Sequence, residues 1–373
     1  MKVAMMLTTT AYMSERFNRD NILILNKLGY RVDVVANWEH GNPMSEDAMQ
    51  SFKDWLEETG NEWTNVSIVR NPLASSNRRA LKDCLGLIAE KKYDLIHCHT
   101  PVASVLGRVV AHKTSTPVIY TAHGFHFFDG APKLNWLMFY PVEKFLSRWT
   151  DVLIAINSED YNRANNKFHA RRLERLYGVG VDTKKFSPDE GVRVKWRTDL
   201  GVADDEIMLL SVGELSERKN HQVVIRAISE MSNKKIKYFI AGQGNLQNEL
   251  EQLVSELGLE KQVTFLGYRT DVSELNQATD LFVLPSKQEG VSVAVMEAMG
   301  CNTRVVGSRI RGNVDLIFDE EMLFDYNDVS DVRRAIKRGI DKLGEDTDYK
   351  DVLKKYDIIA VNEEMERIYR LVL

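Results

Sequence analysis

The chain has 373 residues, 44% hydrophobic and 28% charged, with a net charge of −5. That length suggests two or three domains, and the composition is that of a globular chain, which excludes a disordered or fibrous one. No apolar run approaches the ~18 residues of a membrane span. With 22 basic against 20 acidic residues in 1–182 and 27 against 34 in 183–373, neither half is basic enough for nucleic acid to be the main partner.

The first apolar run, 3–7 (VAMML), stops at Thr8, Thr9 and Thr10. It is too short for a signal-peptide core and reads as a first strand, so the expected location is cytoplasmic. Further strands are expected at 31–36, 66–69, 94–98, 117–121 and 152–156, with helices over 17–28 and 101–112 between them. This alternation points to a parallel sheet covered by helices on both faces, which also explains why the strands are apolar throughout. Gly178, Gly180 and Pro188 mark 178–190 as a linker. Beyond it the plan repeats, with strands at 207–212, 236–241, 262–266, 281–284 and 303–306 and helices over 219–231, 245–257 and 291–300. The expected class is therefore α/β, with two Rossmann-like doubly wound sheets facing across a cleft. The expected domains are 1–180 and 181–356, followed by an amphipathic helix at 357–373 that could pack on either half. Cys84, Cys98 and Cys301 are odd in number and far apart, which fits a reducing compartment.

Open α/β sheets bind ligands outside the carboxyl ends of their strands, so the loops after strands carry the candidates. His97 and His99 flank Cys98 at one such end; with no third ligand they read as hydrogen-bonded structure and not as a metal site. His123 ends a strand and precedes Gly124, at the lip of the expected cleft, with His126 a weaker second. After strand 207–212 come Gly213 and then Arg218 and Lys219 at a helix start. Free N–H groups and the helix dipole make such a place an anion site, and a basic pair there opposes the dipole and wants a reason. The plainer alternative is an exposed basic pair. Gly242-Gln243-Gly244 lacks the third glycine of a dinucleotide signature and is explained by a tight turn.

The strongest feature is 285–300, PSKQEGVSVAVMEAMG. Glu289 stands at the mouth of a helix expected from about Val291, within reach of ligand hydroxyls. Gly290 lets the backbone come close, and the N–H groups of Val291, Ser292 and Val293 can hold a phosphate oxygen. Glu297, about two turns deeper in an apolar helix, is costly unless paired. A ribose diol would satisfy it, and so would a neighbouring arginine. Asp346-Thr347-Asp348 spells an acidic DxD, but its polar surroundings make it a solvated loop, and no metal is expected. Residues 131–149, with Trp136, Phe139, Tyr140, Phe145 and Trp149 among Lys133, Lys144 and Arg148, suit either a core helix broken at Pro141 or an interfacial one.

Several segments in order resemble glycosyltransferase family 4, retaining enzymes of the two-Rossmann GT-B class. They are YDLIHCHTPVASVLGRVVA, TAHGFHFF, VGVDTKKFSPD, VGELSERKN, VTFLGYRTDV and ATDLFVLPSKQEGVSVAVMEAMG. The resemblance implies transfer of a hexose or N-acetylhexosamine from a UDP-sugar, with retention, to a saccharide or polyprenyl-diphosphate-linked acceptor in bacterial capsule or exopolysaccharide assembly. No cofactor or metal is implied, and a peripheral place at the inner face of the cell membrane is compatible with such an acceptor. By the family pattern Glu289 binds the sugar hydroxyls, Glu297 the ribose and Lys219 the diphosphate. His123 lies beside sugar and diphosphate, and Tyr268 and Arg269 lie near the base; Gly213 and Gly242 belong to the donor-side loops. The chain departs from the pattern at Glu214, where the family usually has an arginine that Arg218 would have to replace. It departs also at Thr8–Thr10, in place of a glycine-rich loop, and at Asp315, in place of a glutamate. Rival readings are a UDP-sugar epimerase on the same fold and a non-catalytic nucleotide-sugar-binding protein; fold alone does not separate them.

Overall fold

The computed structural model describes residues 2–347 and 349–372. They divide into two compact units, Met1–Gly178 with Val361–Leu373, and Val179–Ala360.

The first unit runs β1 (Lys2–Thr10), α1 (Ala11–Phe17), α2 (Arg19–Lys27), β2 (Tyr30–Asn37), α3 (Glu46–Glu58), β3 (Glu62–Asn65), α4 (Ser76–Lys91), β4 (Leu95–His99), α5 (Pro101–Thr114), β5 (Val118–Ala122), α6 (Lys133–Leu146), β6 (Val152–Ala155), α7 (Ser158–Lys167) and β7 (Arg172–Arg175). Its strands are parallel in the order β3-β2-β1-β4-β5-β6-β7. β1 is central, and residues 3–10 are buried on both faces, which is why that run carries no polar alternation before its threonines. One face packs Leu7, Val35, Cys98, Val110 and Phe127; the other packs Met6, Leu25, Val34 and Phe52.

The second unit runs α8 (Glu190–Asp199), β8 (Ile207–Val212), α9 (His221–Ser229), β9 (Ile236–Ala241), α10 (Gln247–Glu256), β10 (Val263–Gly267), α11 (Val272–Ala278), β11 (Leu281–Leu284), α12 (Val293–Gly300), β12 (Arg304–Ser308), β13 (Leu323–Phe324), α13 (Val329–Asp341) and α14 (Lys350–Tyr356). Its strands, also parallel, lie in the order β10-β9-β8-β11-β12-β13. The last helix, α15 (Ile358–Arg370), begins in this unit and ends in the first. There Val361, Met365, Ile368 and Tyr369 are buried in the same core as β1 and β2. The two-sheet α/β architecture expected from the sequence is the one observed.

Several expected elements shift. Residues 66–69 are not a strand. Val66 makes one more ladder bond, to Ala36 O at 2.8 Å, and then Val66 and Ile68 bury their side chains from coil while the polar Glu62–Asn65 does the pairing. The helix expected over 17–28 is α2, Arg19–Lys27, separated at Asn18 from the additional short helix α1. The helices expected at 219 and 291 begin instead at His221 and Val293.

In both sheets the strand order reverses beside the first strand, between β1 and β4 and between β8 and β11. Such a switch point separates the loops at the carboxyl ends of two adjacent strands and leaves room for a ligand. Every strong sequence candidate follows β4, β5, β8 or β11.

Candidate functional site

In the second unit, the chain leaves β8 at Gly213 and doubles back through Ser216, which accepts from the N–H groups of Lys219 and Asn220. Asn220 takes a left-handed conformation (φ +54°) and anchors its amide on Tyr326 O at 3.1 Å before α9 starts. Arg218 and Lys219 therefore precede the helix. The Lys219 stem lies across Gly213, so close that a Cβ at 213 would sit 3.0 Å from its Cε. Gly242 and Gly244 are explained by neighbouring backbone: a Cβ would come 1.9 Å from Gly213 O at the first and 2.2 Å from Leu215 O at the second. They support the Lys219 loop by close approach, as a tight turn does, and need no ligand to account for them.

The loop after β11 meets this one. Lys287 N–H donates to Arg218 O at 2.8 Å, and Lys219 Nζ donates to Glu289 Oε1 at 2.7 Å. Arg218 Nη1 donates to the same Oε1 and to Gln288 O, each at 3.1 Å. The side chains of Lys219 and Glu289 are only 12% and 11% exposed, against 45% for Arg218. Burial works to raise the Glu289 pKa, but the adjacent Lys219 and Arg218 charges outweigh it and hold the carboxyl below its usual range. The basic pair thus has a structural reason, the Glu289 carboxylate, where the sequence alone suggested an external anion. The arrangement offers an ammonium, a guanidinium and an ionised carboxylate at one mouth.

Ser292 caps α12, its hydroxyl accepting from Val295 N–H at 3.4 Å. Glu297 is the fifth residue of that eight-residue helix, so it lies about one turn in and not two. It is half-buried, and its charge adds to the burial that pushes the Cys301 thiol up to about 12. Tyr268 is 72% exposed, and Arg269 is held by Asp271 with its guanidinium 5.5 Å from the Trp196 ring. Glu214 is exposed, and Asp315 lies in the turn after β12.

That turn holds residues the sequence reading passed over. Arg311, 5% exposed, donates from Nε to Glu289 O at 3.1 Å. Gly312 (φ +79°) lies so close to Gly290 that a Cβ would be 2.2 Å from its carbonyl oxygen. Asn313 Nδ2 donates to Ser308 O and holds the turn closed. The glycine in RGN after a strand was the available signal.

In the first unit, Thr8, Thr9 and Thr10 are not a phosphate loop. Thr8 Oγ1 donates to Thr10 O and bonds Ser14 Oγ, both at 2.9 Å, and Thr9 Oγ1 bonds Thr100 Oγ1 at 2.6 Å. Three histidines line up across the ends of β4 and β5. His97 is fully buried between Tyr369 Oη and Thr121 Oγ1, each at 2.8 Å. The His99 ring lies 4.1 Å from that of His97, tilted by 41°, and reaches His123 Nε2 from Nδ1 at 3.0 Å. His123 is half-buried; His126 instead packs on Phe139 of α6, 4.7 Å between centroids. Of the DxD, Thr347 bonds Asn302 and Asp348 lies outside the described residues.

Burial, with a smaller contribution from His123, holds the His97 pKa down to about 3, and burial holds His123 at about 4. His99 lies well below 6.5 through burial and its two neighbours, and His221 falls to about 4 by burial and the nearby Lys219 charge. The unfolded chain takes up these protons near pH 6.5 while the folded chain refuses them. The stability they contribute is full above pH 6.5 and is lost as pH falls toward 4, by up to about 1.4 kcal/mol per pH unit per histidine. Thermal melts should show the midpoint falling steeply from pH 6.5 to 5; a flat profile would contradict histidines held neutral in the fold.

Two parallel-sheet units of this order define the GT-B class of glycosyltransferase folds. The model described as "Glycosyl transferases group 1" matches residues 192–357, and that described as "Glycosyltransferase Family 4" matches 15–185. The putative glycosyltransferase EpsD of Bacillus subtilis is 32% identical over 320 residues, covering 84% of this chain and 80% of its own. An Escherichia coli protein named UDP-Gal:alpha-D-GlcNAc-diphosphoundecaprenol alpha-1,3-galactosyltransferase is 27% identical over 297 residues, 77% of each chain. Among solved structures, Anabaena HepE in complex with UDP superposes with a TM-score of 0.77 at 20% identity over 100% of both chains, a likeness of fold. The chain belongs to the group 1 and family 4 glycosyltransferases.

Proposed function

We propose that the chain is a retaining hexosyltransferase moving a hexose or N-acetylhexosamine from a UDP-sugar to a saccharide or polyprenyl-diphosphate-linked acceptor of a bacterial surface polysaccharide. The observation that carries the reading is the Lys219–Glu289 contact at the β8–β11 switch point, buttressed by Gly290 and flanked by Arg218. The names of the Escherichia coli relative and of the HepE complex support a uridine-based donor, and the former supports a lipid diphosphate acceptor.

In this reading Lys219 and Arg218 exchange part of their contact with Glu289 for the departing diphosphate, and the amino end of α12 adds its dipole. The bond from the anomeric carbon to the phosphate oxygen breaks, and the acceptor oxygen bonds to that carbon from the same face. The proton of the acceptor hydroxyl passes to the leaving phosphate, so no protein base is needed. Glu289 favours the developing positive charge on the sugar ring, and Glu297 holds the ribose.

The experiment is a thermal-shift screen of UDP, GDP and their sugars followed by turnover with and without a saccharide acceptor. UDP compounds should raise the melting temperature by mass action, and turnover should persist in chelator because cationic side chains do the neutralising. A requirement for manganese or magnesium would count against the charge assignment, and conversion of the donor with no acceptor present would make the chain an epimerase.

A lipid-linked acceptor also gives α6 a role. Its inner face packs Trp136, Phe139 and Tyr140 on the core, while Glu143 is fixed by the buried Arg108 at 2.8 Å. Its outer face leaves Leu134 61%, Leu137 74%, Val142 42% and Phe145 50% exposed, bordered by exposed Lys133 and Arg148. Among the described residues no helix is long and apolar enough to cross a membrane. An apolar stripe rimmed by cations suits an anionic lipid surface. Leu137→Glu with Phe145→Glu should abolish co-sedimentation with vesicles containing anionic lipid while leaving turnover on a water-soluble acceptor intact; a wild-type protein that stays in the supernatant would end this part of the reading.

A further inference from the structure

The three histidines of the first unit form more than a packed core. Both nitrogens of His97 are committed, one to Tyr369 and one to Thr121. His99 is different: its Nδ1 faces His123 Nε2 at 3.0 Å, while its Nε2 is sealed from solvent with no hydrogen-bond partner among the described residues. The nitrogen of His123 that remains, Nδ1, makes no hydrogen bond among the described residues and is not among the sealed atoms.

These contacts favour one placement of the protons over the other. Neutral imidazole carries one N–H, and the other nitrogen accepts. A proton on Nε2 of His99 would be a buried donor with nothing to bond, which costs the desolvation of that group without return. A proton on Nδ1 is used at once, because His123 Nε2 stands in front of it. With Nε2 accepting, a neutral His123 must carry its own proton on Nδ1, the nitrogen left open.

We propose that His99 is a positioning residue: its Nδ1–H donates to His123 Nε2 and so fixes His123 in the tautomer that presents Nδ1–H as a donor to a hydroxyl or phosphate oxygen of a sugar ligand at the carboxyl end of β5. The ligand's identity rests on the transferase reading, whereas the tautomer does not.

The backbone around His99 is built to hold it. Thr100, the next residue, has φ +66° and ψ +148°, a region that a β-branched residue occupies only under constraint. It is pinned there by Thr9 Oγ1 at 2.6 Å, across the β1–β4 switch point. Phe17 lies 6.3 Å from the His123 ring on another side, and Gly124 (φ +126°) turns the chain away directly after it. The Thr9 contact holds the chain at the end of β4 directly after His99, whose ring is held by His123 and His97.

The test uses the whole protein labelled with 15N-histidine, in which eight histidines are resolved by two-bond proton–nitrogen correlation and His123 is assigned by its loss in His123→Gln. Expected in the wild type is a His123 protonated at Nδ1. His99→Leu should move His123 toward the Nε2–H form and lower kcat by about tenfold or more, the scale on which hydrogen-bond partners behind a ligand contact act. His99→Asn, whose amide can place a donor at the Nδ1 position, should restore both the tautomer and most of the turnover. A wild-type His123 protonated at Nε2 overturns the proposal whatever the kinetics, and that spectrum decides even if His99→Leu fails to fold. An unchanged tautomer and unchanged kcat in His99→Leu overturn it as well. If the tautomers are as stated but His123→Gln transfers sugar at the full rate, the histidine pair stands and the ligand contact falls.

Discussion

Lys219→Ala should reduce turnover by about two orders of magnitude, the scale of losing one preorganised electrostatic stabiliser. Its ammonium is held at the switch point by the 2.7 Å contact with Glu289 and by its stem lying across Gly213, so its geometry is set before a ligand arrives. Arg218, more exposed, should cost less when removed alone, and the double variant should lose more than either. The loss should also depend on pH. Without Lys219, burial of the Glu289 carboxyl is opposed only by Arg218 and the Ser286 hydroxyl; its pKa rises, so it is protonated earlier as pH falls, and the deficit of the variant should widen toward acid pH. Lys219→Arg keeps the charge and should recover the pH behaviour. Unchanged kinetics in both single variants and in the double one would remove these residues from the mechanism.

Glu289→Gln should mainly lower kcat, the sign of an interaction made in the transition state. The amide keeps the shape of the side chain but gives up the charge that favours a positively charged sugar ring. Glu297→Ala should instead weaken UDP and UDP-sugar alike, because the ribose is common to both. Calorimetric titration of UDP separates the two. If Glu289→Gln loses UDP affinity and Glu297→Ala keeps it, the roles are reversed; if neither changes binding nor turnover, both carboxylates are structural. Glu289→Gln also releases Lys219 from its ion pair, so a modest gain in UDP affinity is expected in that variant.

The central strands were legible because burial on both faces makes them continuously apolar, as in β1, β6 and β11. The edges of the first sheet were not: β3 (EWTN) and β7 (RLER) are half-buried or exposed and lack that signature, while Val66 and Ile68 carry it without pairing. Glu289, Gly290 and Lys219 could each be picked out from the loop after a strand. That Lys219 and Glu289 touch, 70 residues apart, depends on β8 lying beside β11, a long-range choice that no local pattern encodes. The same holds for His99. Its spacing to His97 shows in the sequence, but its partner His123 stands on the neighbouring strand. Arg311 was hidden for another reason: an arginine beside a glycine reads as an exposed turn, whereas here it is buried, bonded to Glu289 O, next to the close approach of Gly312 to Gly290.

The helix α15 has a consequence for how the chain is made. A ribosome releases the strands of the first unit long before Val361, Met365, Ile368 and Tyr369, which fill the core against β1 and β2 and close the hydrogen bond to His97. During the synthesis of some 180 intervening residues, which make up the other compact unit, the nascent first unit carries an open apolar groove and an unanswered imidazole. Contacts of such sequence separation form late and slowly, and exposed apolar surface in that interval is what chaperones bind and aggregates grow from. The second unit, continuous in sequence, can fold first, and the unit that begins the chain is completed last.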